Sequence, residues 1–418
     1  MFTQIERINA DNINNTLNKV PSLISRTFPI PAKFRGKLPA DIAELSRLLT
    51  NNRGERSLSY LARPNFLSAY LYYFLPWNLY RLCLLLPQIN LSLHEGDTVT
   101  DLGCGPLTFA SALWIARPDL RGVSLVFNCI DRSAPALEAG KKFFTALCES
   151  AEEKSGGREN PWKINIIKED INLKKTSAPS VTRKRKPASL VCAVNLFNEI
   201  YEKISHNNAE ELRRMASNAA KFMHSEVLKD GRILTVEPGI PQSGRFISIL
   251  RGELIKLNRL PASPCTHNAD CPFPGGSSKT VRGRNWIDSK KRWCHFAFDS
   301  FNAPKELIAV SKAAKLPKER LVLSFLYAGA SEEKKQQLDK NNKHKKNERQ
   351  NVRIISGAFP LSENRFGRYG CCERGLVLVT GDRSRIDEIK PMSLTSALPF
   401  ENEQRDIKSG AIMAPIKD

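Results

Sequence analysis

The segment that most constrains the fold is TVTDLGCGPLTFASALWIA, residues 98 to 116, where a β-type run turns through Asp101, Gly103 and Gly105 directly into an amphipathic helical stretch. Glycines at such a turn let a ligand approach the backbone closely, because no side chain stands in the way. From Asp97 to Gly239 the texture repeats. Strand-like runs near 98–102, 124–130, 163–168, 189–195 and 232–237 alternate with helical patterns at 108–117, 134–150 and 207–223. That alternation predicts an α/β domain with a parallel sheet.

Successive strand ends then carry groups suited to a nucleoside. Asp131 ends the second run, 26 residues after Gly105, and a carboxylate there accepts hydrogen bonds from both hydroxyls of a ribose. Asp170 and Ile171 follow the third run, an acid for an adenine amino group and an apolar residue for its ring; Asn195 closes the fourth. A dinucleotide fingerprint fits less well, since its last glycine falls on Thr108, and no Walker-type G-K-[ST] follows.

These residues resemble the motifs of the class I S-adenosylmethionine-dependent methyltransferases, whose G-x-G-x-G reads here Gly103, Gly105, Leu107, with the last glycine replaced. The resemblance implies a Rossmann-like sheet that binds S-adenosylmethionine through Asp101, Gly103, Gly105, Asp131, Asp170, Ile171 and Asn195. No catalytic residue is legible. The N-P-P-aromatic run of base-modifying amino methyltransferases is absent from NLFN at 195–198, and Cys192 lies inside a strand, as a core thiol does. Glu199 and Glu237 stand at strand ends, positions that suit either a substrate contact or an ordinary cap.

Residues 1–20 show neither a secretory nor an organellar presequence pattern, so a cytoplasmic protein with reduced thiols is expected, and the ten cysteines are not read as a disulfide framework. Cys265, Cys271 and Cys294 lie in Pro- and Gly-rich chain, PASPCTHNADCPFPGG and RWCHFAF, while RYGCCERG supplies Cys371 or Cys372 as a fourth thiolate. His267 and His295 are nearby alternatives. Tetrahedral zinc and a 4Fe-4S cluster both accept four thiolates, and spacing alone separates them neither from each other nor from scattered buried thiols.

The combination of VEPG, P-C-x-H-x3-C-P, W-C-H-F and a late Cys ahead of E-x-G resembles the methyltransferase-like small-ribosomal-subunit assembly factors of mitochondria and bacteria, from about Leu58 to Thr380. This resemblance implies a 4Fe-4S cluster on Cys265, Cys271, Cys294 and Cys371, and action on the small ribosomal subunit or its rRNA; a non-catalytic RNA-binding assembly factor and a methyltransferase of a non-RNA substrate are the alternatives. Cys371 is preferred because it stands four residues before Gly375, as the family's late cysteine does. The stretch between Cys271 and Cys294 is longer than the family pattern.

Charge points the same way. A formal net charge of +21, from 64 basic and 43 acidic residues, calls for a polyanionic partner; RNA is expected, with neither DNA nor membrane as target. The basic loops RKRK at 183–186 and 334–349 are candidates to meet phosphate. Ala69–Ile89 is nearly long enough to span a bilayer, but it contains Pro76, Asn78 and Arg81 and reads as a buried helix or helix pair. The expected organisation is a helical N-terminal region (1–95), a cofactor-binding core (96–260), a Cys-rich metal-binding insertion between the fifth and sixth strands (261–300), final strands of the core sheet with a basic loop (301–385), and a disordered tail (386–418).

Overall fold

The computed structural model describes residues 4–50, 60–152, 161–171, 173, 185–201, 208–273, 293–330, 350–390, 392–397 and 404–416. The basic loop at 331–349, most of the 174–189 loop and the GGSSKTVRGRN stretch lie outside the described residues. The chain divides into two units, one of residues 1–172, 188–203 and 298–321, the other of 173–187, 204–297 and 322–418.

In the first unit β1 (Thr98–Leu102), β2 (Val126–Asp131), β3 (Lys163–Lys168) and β4 (Ala188–Val194) form a wholly parallel run in the order β3-β2-β1-β4. Asp101 lies opposite Cys129 on one side and Cys192 on the other. Helix Thr108–Ala116 is not amphipathic as expected but buried along its whole length, Thr108 and Ser111 included, because it is packed on all sides. The apolar stretch at 69–89 folds as helix Pro64–Ala69, a π-helical turn Tyr70–Phe74 and helix Leu75–Leu85, and most of the last is buried. No helix among the described residues is long and apolar enough to cross a membrane.

In the second unit β5 (Val227–Pro238), β6 (Arg259–Ser263), β7 (Phe296–Asp299) and β8 (Arg320–Ala330) bring in antiparallel pairing: Glu237 of β5 faces Ser324 of β8, and β6 runs against the other edge of β8. Helix Ala209–Glu226 starts at Asn208, whose Oδ1 accepts a hydrogen bond from the Glu211 N–H at 3.0 Å, and it packs on helix Pro241–Lys256. Within this unit the order is β5-β8-β6, with β7 also on β8. A parallel β3-β2-β1-β4 run and an antiparallel strand between β5 and β6 are the strand orders of the class I methyltransferase fold, as the resemblance of the sequence motifs implies.

Two expectations are corrected here. Gly375–Gly381 does not extend this sheet; with β9 (Gln350–Ile354), β10 (Phe359–Pro360), β11 (Phe366–Cys372), β12 (Gly375–Gly381), β13 (Leu394–Ala397) and β14 (Ile412–Pro415) it builds a second one, ordered β13-β9-β11-β12-β14 with β10 on β11. The polar tail is likewise not devoid of structure, since β14 pairs in parallel with β12, Val377 opposite Ile412. Ala414 joins Val352, Ile354, Val377, Val379 and Ile386 in the core of this sheet. A four-residue apolar patch in a polar tail acquires its strand from that distant partner, which local composition does not encode.

Candidate functional site

At the end of β1 the Asp101 side chain is fully buried. Its Oδ1 accepts a hydrogen bond from the Cys192 thiol at 3.4 Å, and its Oδ2 has no hydrogen-bond partner among the described residues. Burial pushes the Asp101 carboxyl up to about 7. The folded chain therefore holds this proton to a higher pH than the unfolded chain, whose aspartates release theirs near 4. The group's contribution to stability is full below about pH 4 and declines as pH rises to about 7, by about 4 kcal/mol in all. Asp101→Asn is expected to flatten that decline in urea unfolding between pH 5 and pH 8; an unaltered pH slope would contradict it.

Gly103 and Gly105 both adopt left-handed backbone, with φ of 67° and 53°. A Cβ on Gly103 would sit 2.6 Å from Leu196 Cδ1, whereas one on Gly105 would meet nothing within 4 Å, so the loop is open on that side. The Asp131 carboxylate ties this loop to β2: Oδ2 accepts from the Gly105 N–H at 2.9 Å and Oδ1 from the Ser133 N–H at 2.8 Å. A carboxylate offers about four acceptor positions, so two remain for a vicinal diol.

Leu107, at the place of the motif's missing glycine, also adopts left-handed backbone, with φ 54° and ψ 41°. The position still demands the conformation glycine supplies, at a cost of about 1–2 kcal/mol for a leucine. Its side chain is buried, and a Cβ on Gly140 would stand 2.7 Å from Leu107 Cδ1 and 2.4 Å from the Pro106 carbonyl carbon. The departure is thus accommodated by a glycine on the neighbouring helix. Gly140→Ala is expected to lower the thermal midpoint and weaken cofactor binding together; retention of both would show that the helix can shift.

Asn195, just past β4, is held from above. Arg81 Nη2 donates to Asn195 Oδ1 at 2.8 Å and to Asn78 Oδ1 at 3.1 Å. Glu199 accepts from the Tyr60 hydroxyl at 3.1 Å and pairs with Arg132 at 3.2 Å. The half-buried Tyr70 has its phenol enclosed and pushed up, first by burial and then by Glu199 and Asp131. Asp170 and Ile171 follow β3, the acid exposed and the isoleucine half-buried. Tyr60, Tyr70 and Arg81 are absent from the motif reading. The signal for Arg81 was available, because a cation within an apolar helix requires polar partners.

The second unit gathers Cys265, Cys271, Cys294 and Cys371. The Cys371 thiol is pushed well up by burial and then by Cys271, Cys265 and Cys294; Cys294 feels Cys265 and Cys271, and Cys271 feels Cys265. All four are free thiols. Two arginines flank them. Arg251, buried, donates from Nε to Cys265 Sγ at 3.3 Å and from Nη2 to the carbonyls of His267 and Ala269, each at 2.8 Å. Arg353 donates from Nε to the Pro264 carbonyl at 2.8 Å and from Nη1 to that of Met392; burial lowers its guanidinium, and Cys265 and Cys294 oppose that shift. His267 Nε2 lies 3.4 Å from Cys371 Sγ.

Strand alternation separates the adjacent pair on β11. Cys371 joins the other thiols, while Cys372 turns into the apolar core of the second sheet. His295 stacks on Trp293 and sits 3.0 Å from that residue's carbonyl oxygen. Among the described residues no group of three or more His, Cys, Asp or Glu side chains is arranged to hold one metal ion.

No family model matches the chain, and no curated protein matches it in sequence. Among solved structures it is similar to one described as a class I S-adenosylmethionine-dependent methyltransferase of Listeria monocytogenes, at 10% identity over 77% of this chain and 88% of that one, TM-score 0.31. Geranyl diphosphate methyltransferase with GPP and sinefungin gives 11% identity over 70% and 99% of the two chains, TM-score 0.29. The plantazolicin methyltransferase BpumL with SAH gives 13% over 77% and 99%, TM-score 0.25. At such scores the fold assignment rests on the strand order described above.

Proposed function

We propose that this chain binds S-adenosylmethionine in the β1–β2–β4 site and carries a 4Fe-4S cluster on Cys265, Cys271, Cys294 and Cys371, acting on the small ribosomal subunit or its rRNA. For the cofactor, the unpartnered buried Oδ2 of Asp101 fits a cationic amino group, and the spare acceptor positions of Asp131 fit a ribose. Asp170 and Ile171 are the residues assigned to adenine. When bound, the sulfonium supplies an electrophilic methyl group. What the chain itself contributes is the buried carboxyl of Asp101, which ionises when a cationic group is brought beside it, the open glycine loop and the enclosure made by Tyr70, Arg81 and Asn195.

The observation that carries the cluster is electrostatic. Arg251 and Arg353 pair with no carboxylate among the described residues; their partners are thiols and carbonyls. Neutral thiols would leave the buried Arg251 guanidinium and the half-buried Arg353 without counter-charge, which is costly for the first above all. Four thiolates on a doubly charged cube carry two net negative charges, matching the two arginines. A zinc ion on four thiolates would carry the same two net negative charges, so iron, sulfide and zinc analysis decides between the two.

A second reading, a ribosome-binding factor that does not transfer methyl, is favoured by the engagement of Asn195 with Arg81 at the position where an acceptor would enter. Purified small subunits incubated with radiolabelled S-adenosylmethionine separate the two. Label in the rRNA supports transfer; binding of both cofactor and subunit without label supports the platform. Failure to bind the small subunit would remove the ribosomal reading.

A further inference from the structure

We propose that the outer face of the N-terminal helical region is a contact surface for single-stranded RNA, with Phe34 and Phe301 as base-stacking groups. This rests on RNA being the target. Residues 31–37, PAKFRGK, are all exposed and hold three cations and no acid. Within them the short helix Ala32–Arg35 presents Phe34, 47% exposed, with Lys33 Nζ 5.0 Å from its ring centroid. Arg35 Nε donates to the Ile30 carbonyl at 3.0 Å, which fixes the turn.

The second aromatic sits on a neighbouring element. Phe301 is 84% exposed and shortly precedes helix Lys305–Ala313, which packs on both helices flanking the turn, Gln4–Thr27 and Leu38–Thr50. From residue 299 to 320 there are five cations, Lys312 among them, against three acids, Asp299, Glu306 and Glu319. Exposed rings set among cations are what a flexible strand needs, because each base stacks on an aromatic face while neighbouring phosphates meet Lys or Arg. A membrane surface is less well matched: a four-residue helix offers no broad apolar face to bury in the headgroup layer.

The test is fluorescence anisotropy of a labelled 12-nucleotide oligouridine with the full chain, across a salt series. Phe34→Ala and Phe301→Ala are each expected to weaken binding about 5- to 150-fold with the salt slope retained. Lys33→Gln, Arg35→Gln and Lys37→Gln combined are expected to reduce the slope by about 2. Wild-type binding that none of these changes alters would overturn this surface and leave the RNA reading standing. An oligouridine that does not bind at all would overturn both. Tighter binding to phosphatidylserine vesicles than to RNA, lost in the same variants, would reassign the surface to lipid.

Discussion

Asp131→Ala is expected to weaken S-adenosylhomocysteine binding by at least about 100-fold in isothermal titration calorimetry. The carboxylate does two things at once. It anchors Gly105 and Ser133 through their N–H groups, and in the proposed complex it accepts the ribose hydroxyls. Each hydrogen bond to a charged group is worth about 1.5–3 kcal/mol, so losing the two to ribose alone accounts for the effect. The Gly105 N–H is also left without its partner and the glycine loop loses its fixed shape. Asp131→Asn, which keeps an acceptor oxygen, is expected to lose less. Binding within threefold of wild type in the alanine variant would remove Asp131 from the site.

Arg251→Ala is expected to lower stability by about 3–5 kcal/mol and to eliminate the proposed cluster. One guanidinium here organises the whole 265–271 loop, reaching Cys265 and two carbonyls from a buried position on helix Pro241–Lys256. Its removal takes a hydrogen bond from the carbonyls of His267 and Ala269 and half of the counter-charge from the thiolates of the proposed cluster. Lysine does not substitute, because a single ammonium lacks the planar fork that serves three acceptors at once. Chemical denaturation with iron analysis of Arg251→Ala and Arg251→Lys reads both effects. A variant that keeps wild-type iron content would show that the loop is held by other contacts.

How far these sites were legible depends on how local their determinants are. Thr98–Leu102, Lys163–Lys168 and Gly375–Gly381 are bounded by glycine or charge and carry their own apolar pattern, so their limits follow directly. The partner of Gly375–Gly381 does not. Its placement in a second sheet depends on Ile412–Pro415 and Gln350–Ile354, short segments that become strands only by pairing with it and with each other's neighbours. The strand-end carboxylates were readable because a motif fixes them to β1 and β2. The enclosure by Tyr60, Tyr70 and Arg81 was hidden, since it comes from helices whose approach to the site no motif records. Cys371 and Cys372 could not be told apart by spacing with any force; the two-residue period of β11 separates them physically, one toward the thiols and one into the core.

The proposal with most at stake is that four thiols distant in sequence hold one 4Fe-4S cluster. Anaerobic purification followed by an absorption spectrum and iron, sulfide and zinc analysis, run beside Cys265→Ser and Cys294→Ser, tests it most directly. The account predicts a brown protein with about four irons and four sulfides per chain, lost in both variants. A colourless protein without iron, or one holding a single zinc, would contradict it.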